Sequence, residues 1–339
     1  MVRIGKKHRS LFAGLAANIG DNLKDFRRCG DHVSSRAAVA SVGIQLSGFK
    51  RALSDPDALD ELIAQSREEN SRPYDFPRGV NFDVAVKKEK LAGNEVVTLN
   101  DNGDENQPRI LYLIGGAYLV RADKQHWQFL NRLAQLTHCR VIVPLYPLLP
   151  QHDFTAAYRF LMQLYTDAYN QVAVSNITMM GDSAGAGLAT GFCEYLGQRG
   201  LPQPGKLILI SPWLDATMSN KLIAQYVEKD VTLDPTGLRQ VGQMWAGHED
   251  PRDYRISPLY GDVQPLRRVM VFAGTHEVMY PDINDFVRKL RKHNVAVDYH
   301  IGRGLFHIYP LYDIPEAAKA LRMMGTMIHQ DELSGEEED

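Results

Sequence analysis

Residues 181–185 read Gly181-Asp182-Ser183-Ala184-Gly185, and the setting of this pentad in the chain decides the fold. A β-like run, 177–180, precedes it, and a helix start rich in small residues, 186–190, follows it. A serine on such a strand-to-helix turn has a strained backbone and an exposed hydroxyl, and its neighbours two positions away must be small. Gly181 and Gly185 meet that demand. We therefore predict that Ser183 is a nucleophile at the end of a strand.

Strands and helices alternate on both sides of the pentad. The predicted strands are 80–86, 95–99, 109–114, 139–145, 177–180, 206–210, 269–273 and 295–301. The predicted helices between them are 123–137, 153–171, 184–199, 282–293 and 314–328. This alternation predicts an α/β fold with a mostly parallel central sheet flanked by helices.

Two stretches depart from the alternation. Residues 1 to about 75 have helical patterns and no strand pattern, and Asp55-Pro56 is typical of a helix start. The run from Leu214 to Asp253 contains two helix-like stretches, 221–228 and 237–245, with no strand between them. We interpret this run as an insertion that covers one end of the sheet.

The composition excludes several classes of protein. The chain has 339 residues and a formal net charge of -3, which gives no electrostatic argument for a nucleic-acid partner. Its three cysteines have neither metal-binding nor disulfide spacing, so we predict reduced thiols in a cytoplasmic protein. No apolar run reaches the roughly 20 residues that span a bilayer.

The two ends of the chain have distinct compositions. Basic residues at positions 3–9 precede a short apolar run, 11–19, which is similar to a brief signal peptide. We favour an amphipathic N-terminal helix that rests on the active-site mouth or makes peripheral contact with a membrane surface. The acidic run Glu336–Asp339 is typical of a solvated tail.

The position of Ser183 points to two partners. A serine hydroxyl needs a base to take its proton, and the base needs a third group to orient it. In the strand–serine–helix arrangement the chain order is serine, then acid, then histidine, each after a strand. Glu277 follows strand 269–273, and His307 follows the last strand. We predict a triad of Ser183, Glu277 and His307; Asp282, the rival acid, lies where the next helix begins and is explained by capping.

The negative charge that forms on a substrate carbonyl oxygen needs hydrogen-bond donors. Gly115 and Gly116 follow strand 109–114, where an oxyanion loop is expected. We predict that their backbone N–H groups, with that of Ala184, form the oxyanion hole.

Several further motifs accompany these residues, and together they resemble the hormone-sensitive-lipase-like branch of the α/β-hydrolase superfamily, a group of carboxylesterases. The segment 146–154 (YPLLPQHDF) resembles the family's YRLAPEHPF, and 211–215 (SPWLD) its SPW-x-D. The segment 257–262 (SPLYGD) resembles SPL-x-GD, 273–282 the acid loop, and 304–307 (GLFH) the family's G-M-x-H. The resemblance covers about residues 80 to 325.

This resemblance implies an α/β-hydrolase fold with a helical cap. Residues 1–78 would be an N-terminal helical segment that forms part of the cap. Residues 79–330 would be the catalytic domain, with a helical cap insertion at about 214–255, and 331–339 an acidic tail. The cap would cover an acyl pocket, with Trp213 and Leu214 as substrate-binding residues and with Tyr226, Met244 and Trp245 as further candidates.

Three positions depart from the family's pattern. Ile114 replaces the histidine of the family's His-Gly-Gly-Gly motif, so the loop must be held in another way. Glu277 replaces the usual aspartate but keeps the carboxylate. Gln151 replaces the family's glutamate, which removes one internal polar contact.

The resemblance and the residues together predict a serine carboxylesterase that acts on small, short-acyl esters without a cofactor or metal. Two alternatives stay open. An acyltransferase would use the same triad with another alcohol in place of water. A non-catalytic binder would resemble the plant gibberellin receptors, which lack the catalytic histidine; the presence of His307 favours the enzyme. The sequence is compatible with a homo-oligomer and does not identify the natural ester.

Overall fold

The computed structural model describes residues 33–333. Its helices are α1 (Ser35–Ser47), α2 (Phe49–Ser54), α3 (Pro56–Asn70), α4 (Lys124–Thr137), α5 (Phe154–Tyr169), α6 (Ser183–Gln198), α7 (Pro235–Ala246), α8 (Tyr280–Lys292) and α9 (Pro315–Leu333). Its strands are β1 (Val86–Leu91), β2 (Asn94–Leu99), β3 (Arg109–Leu113), β4 (Arg140–Pro144), β5 (Ile177–Asp182), β6 (Lys206–Ile210), β7 (Val269–His276) and β8 (Val297–Phe306). The predictions for residues 1–32 and for the final six residues lie outside the described part.

The eight strands form one sheet in the order β1-β2-β4-β3-β5-β6-β7-β8. Strands β4, β3, β5, β6, β7 and β8 run parallel to one another, and β2 runs antiparallel to both β1 and β4. The predicted mostly parallel sheet is confirmed. Since all parallel strands point the same way, the loops after β3, β5, β7 and β8 meet at one edge.

The first strand lies later in the chain than the sequence indicates. Residues 80–85, predicted as strand, are irregular, and the Asp83 N–H donates to Oδ1 of Asn131 on α4. The strand that forms instead, β1, pairs with β2 at the sheet edge and exposes its middle residues 87–90. An edge strand with charged, exposed side chains carries no apolar pattern, so sequence periodicity does not reveal it.

The sheet separates two apolar cores. On one face, α5, α6 and α8 contribute buried aromatic residues such as Tyr165, Phe192 and Phe286. On the other face, α4 and α9 contribute Trp127 and Met324. Strands β3, β5 and β6 are buried along their whole length, as parallel strands covered on both faces are.

The helices before the sheet pack on the insertion between β6 and β7. A Cβ atom on Gly237 of α7 would lie 2.4 Å from the carbonyl oxygen of Leu53 on α2. Lys50 of α2 donates to the carbonyl oxygens of Val227 and Asp230, at 2.5 Å each. The insertion itself contains a short 3-10 helix, Lys221–Gln225, and α7. Within residues 33–333, no helix is both long and apolar enough to cross a bilayer.

Candidate active site

Ser183 lies on a sharp turn at the edge where the parallel strands end. It is the first residue of α6 and has a φ of 50°, a left-handed conformation that is unusual outside glycine. The turn packs α6 tightly against β3. A Cβ atom on Gly185 would lie only 2.1 Å from the carbonyl oxygen of Leu113, so no side chain fits at this position. The structure therefore places Ser183 in the strained strand-to-helix turn that the sequence predicts.

Ser183, His307 and Glu277 form one hydrogen-bonded line. Nε2 of His307 lies 2.8 Å from the Ser183 hydroxyl, and Nδ1 of His307 lies 2.5 Å from Oε2 of Glu277. Glu277 is fully buried, whereas 7 % of Ser183 is exposed. Ser183 follows β5, Glu277 follows β7 and His307 follows β8. Only the tertiary fold makes these three residues neighbours. This arrangement can remove the serine proton and stabilise the imidazolium that results.

Other groups hold the Glu277 carboxylate in place. Oε1 accepts from the N–H of Gly274 at 2.7 Å and from the hydroxyl of Ser211 at 3.1 Å. Ser211 itself accepts from the N–H of Ile308, the residue after His307, at 3.0 Å. Ser211 thus links the acid to the loop that carries the base.

The environment of His307 shifts its affinity for a proton. Burial disfavours the charged imidazole, but the hydrogen bond and charge of Glu277, with the charges of Asp230 and Asp182, outweigh it. The pKa of His307 is therefore raised above its usual value. A raised pKa makes the imidazole a stronger base toward the serine proton.

Two further buried carboxylates, those of Asp230 and Asp282, are not members of the triad. Asp230 accepts from the N–H groups of Thr232, Leu233 and Val278, and burial raises its pKa to about 6 although His307 and these bonds oppose the shift. Asp282 accepts from the amide of Asn220, and within residues 33–333 it makes no hydrogen bond or ion pair with His307. It lies in the first turn of α8 and not at its N-cap, Met279, so capping does not explain it.

The loop after β3 crosses directly beside Ser183. A methyl group on Gly115 would come within 3.0 Å of Cβ of Ser183. Gly116 has a φ of 118° and Ala117 a φ of 52°, so the chain turns back here. Among residues 33–333, no acceptor pairs with the N–H of Gly116 or Ala117. Ala184 lies in the first turn of α6, where N–H groups lack an intrahelical partner.

Within the described residues, the N–H of Gly115, unlike those of Gly116 and Ala117, already has an acceptor. It donates to Oδ1 of Asp182 at 3.1 Å. The structure thus offers Gly116, Ala117 and Ala184 as oxyanion donors, with Ala117 in the place that the sequence analysis gave to Gly115. The sequence favours the glycine pair because glycine marks turns, whereas any residue except proline can supply a backbone N–H.

Asp182 is the centre of a buried polar cluster beside the nucleophile. It also accepts from the hydroxyl of Tyr112 at 2.8 Å, and its Oδ2 lies 3.2 Å from Nε2 of His126. Nδ1 of His126 lies 2.6 Å from Oδ1 of Asp123. No sequence pattern indicates a role for His126, and the one signal for Asp182 is its place inside the pentad.

A large cleft leads to the serine. Its volume is about 1070 Å³, and Ser183 and His307 lie on its floor. Helices α1, α2 and α3 supply much of one wall, and Thr232 and Leu233 of the insertion supply another part. The helices before the sheet, from Ala40 onward, and two residues of the insertion therefore contribute to the lining of this cleft.

Trp213 and Leu214 do not line this cleft. Trp213 is 2 % exposed and Leu214 is fully buried, and the indole of Trp213 stacks on Tyr118. Trp245 stacks on the same Tyr118 ring, with centroids 4.0 Å apart, and Tyr226 and Met244 pack against the core. Trp213, Leu214 and Trp245 are therefore core residues, whereas Tyr226 and Met244 are half-buried at the edge of that core.

Comparison with protein families places residues 110–311 in one group. They match the family described as alpha/beta hydrolase fold. This segment contains Ser183, Glu277 and His307 and most of the sheet.

The chain is also similar to individual proteins. It is 27% identical over 222 residues to an acetyl-hydrolase of Streptomyces hygroscopicus, covering 65% of this chain and 74% of that protein. It is 28% identical over 250 residues to an esterase of Acinetobacter venetianus, covering 73% of this chain and 82% of that protein. A solved structure of an esterase from the bacterial hormone-sensitive lipase family matches 80% of this chain and 97% of its own, with a TM-score of 0.70 and 23% identity.

Proposed function

The chain belongs to the alpha/beta hydrolase fold family and is a carboxylic ester hydrolase, and on that premise we propose that it works through an acyl-enzyme on Ser183. The observation that carries this proposal is the line of hydrogen bonds from Ser183 through His307 to Glu277. A lone serine hydroxyl is a weak nucleophile, and this line supplies the base and the orienting acid that it needs.

In the first half of the reaction the Ser183 hydroxyl attacks the ester carbonyl, and Nε2 of His307 takes its proton. The N–H groups of Gly116, Ala117 and Ala184 stabilise the negative charge on the carbonyl oxygen. Glu277 holds the imidazole in the tautomer that accepts at Nε2 and stabilises its charged form. When the tetrahedral intermediate collapses, His307 gives the proton to the leaving alcohol.

In the second half a water molecule attacks the acyl-serine. His307 takes a proton from that water, and the same N–H groups stabilise the second tetrahedral intermediate. Return of the proton to Ser183 releases the carboxylic acid and restores the starting state. No other group is needed to balance the reaction.

We propose short-acyl esters as substrates. The similarity to an acetyl-hydrolase supports this choice. The cleft of about 1070 Å³ leaves space for a larger alcohol part.

The test compares p-nitrophenyl esters of increasing acyl length on the whole chain and on Ser183→Ala. We expect the wild type to prefer acetate and butyrate over long acyl esters. Loss of the nucleophile should lower kcat by about 10⁴-fold or more, and a fluorophosphonate should label the wild type but not the variant. Ser54→Ala, at an exposed serine, should match the wild type. Equal turnover by Ser183→Ala would refute the proposal, and added alcohols as acceptors would reveal acyl transfer.

A further inference from the structure

His126 lies between two carboxylates at the start of α4. Its Nδ1 is 2.6 Å from Oδ1 of Asp123, and its Nε2 is 3.2 Å from Oδ2 of Asp182. The histidine is 5 % exposed and Asp182 is fully buried. Asp182 directly precedes Ser183, so this contact connects α4 to the nucleophile turn.

The second oxygen of Asp182 reaches the loop after β3. Oδ1 accepts from the N–H of Gly115 at 3.1 Å and from the hydroxyl of Tyr112 at 2.8 Å. The carboxylate and Gly115 are packed tightly, because a Cβ atom on Gly115 would lie 2.3 Å from Oδ2. The next two residues, Gly116 and Ala117, are the oxyanion donors. The position of Asp182 therefore fixes where those donors point.

The charge of Asp182 also matters for the reaction. A buried carboxylate beside the nucleophile would oppose a second negative charge on the substrate oxygen. Burial disfavours a charged His126, but the charges of Asp182 and Asp123 outweigh it and raise its pKa to about 10. The histidine is then an imidazolium at neutral pH and compensates the carboxylate.

We propose that His126 is a positioning residue for the oxyanion hole. It holds the Asp182 carboxylate against the N–H of Gly115, and its charge lets that carboxylate lie beside the oxyanion. It thereby does from α4 what a histidine at position 114, here Ile114, would do from within the loop. This inference rests on the proposed acyl-enzyme mechanism and acts through the hole, not through the proton transfer at His307.

The first test is His126→Gln, assayed with a p-nitrophenyl acetate series and its thiono analogues. We expect kcat for the oxygen ester to fall by about 10- to 100-fold, with KM changed less than about threefold. The thiono ester should lose less, because N–H donors stabilise a developing S⁻ less well than O⁻. His248→Gln, at an exposed histidine, should behave as the wild type.

The second test is a double-mutant cycle with Asp182→Asn. The asparagine keeps an oxygen for Gly115 and Tyr112 but needs no compensating charge. We expect His126→Gln to cost less than about threefold in the Asp182→Asn background. If His126→Gln alone does not fold, Asp182→Asn and the double variant can still be compared, since the double variant leaves no uncompensated charge at position 182.

Three results would overturn the proposal. The first is an equal loss for oxygen and thiono esters, and the second is an equal cost of His126→Gln in both backgrounds. The third is a loss that comes only from a shift of the pH profile of kcat/KM with an unchanged plateau, because the proposal places the loss in the oxyanion hole and not in the proton transfer at His307. Failure of the acyl-enzyme mechanism itself is recognised separately, by ester turnover that survives Ser183→Ala.

Discussion

The hydroxyl of Ser211 donates to Oε1 of Glu277 at 3.1 Å and accepts from the backbone of the residue after His307. Ser211 follows β6, between the strand that leads to the nucleophile and the strand that leads to the acid. A single hydroxyl therefore sets the distance between the acid loop and the base loop. Ser211 is buried and has a φ of 47°, a left-handed conformation that residues other than glycine rarely adopt. The surrounding fold must therefore hold its backbone in place.

We expect Ser211→Ala to lower kcat/KM by about 10-fold. Hydrogen bonds to charged groups contribute about 1.5–3 kcal/mol, and part of this will be recovered by relaxation. Steady-state kinetics on p-nitrophenyl acetate measure the loss. Ser257→Ala is the matched control, because Ser257 is also buried and hydrogen-bonded but contacts Ala216 and Pro251 instead of the triad. An unchanged kcat/KM in Ser211→Ala would remove Ser211 from the positioning of Glu277.

The activity should fall as the pH drops. His307 must be neutral to take the serine proton, and its pKa is raised above the usual value chiefly because Glu277 outweighs the effect of burial. As pH falls through that raised pKa, kcat/KM should decrease tenfold per pH unit, with a plateau above it. Glu277→Gln removes the carboxylate charge, so the acidic decrease in kcat/KM should occur at lower pH, and the plateau value of kcat/KM should be lower. An acidic decrease at the same pH as in the wild type would show that another group controls the profile.

The stability of the fold should depend on Asp282. Burial raises the pKa of this carboxyl to about 7, the Asn220 hydrogen bond opposes the shift, and the charges of Asp215 and Asp285 add to it. The folded state thus holds a proton that the unfolded state releases near pH 4, so this group costs stability as pH rises from about 4 to 7. Above pH 7 the cost is at most about 4 kcal/mol.

Asp282→Asn should therefore stabilise the protein at pH 8 and leave it nearly unchanged at pH 4. The asparagine can still accept from Asn220, and it places no charge in the interior. Urea unfolding at the two pH values measures the difference in the free energy of unfolding. Asp167→Asn, at an exposed aspartate on α5, should give no such gain. A gain of equal size at both pH values would point to packing instead of titration.

Substitution of Trp213 should affect stability and not substrate choice. Trp213→Ala removes a buried ring that stacks on Tyr118, and we expect a loss of about 3–5 kcal/mol in the free energy of unfolding. Trp213→Phe keeps an aromatic ring, loses the indole hydrogen bond to the carbonyl of Asp215, and should cost less. The ratio of acetate to hexanoate turnover in the Phe variant should equal that of the wild type. A changed ratio would restore Trp213 as a substrate-binding residue.

The sequence alone determined the frame of the site. The order of Ser183, Glu277 and His307 along the chain, each after a strand, follows from local patterns, because strand periodicity and small residues at turns are local physical demands. The same reasoning predicted a mostly parallel sheet, which the structure confirms. It misplaced β1, whose charged edge residues carry no apolar signal.

Only the tertiary structure decided how the site is supported. It engages the Gly115 N–H with Asp182 and leaves Ala117 as a donor, buries Trp213 and Leu214, and brings His126 and Ser211 to the site from distant parts of the chain. Such contacts depend on which loops and helix ends meet at one edge of the sheet. A polar side chain looks the same in the sequence whether it faces solvent or a buried carboxylate, and its role appears only when packing gives it a partner.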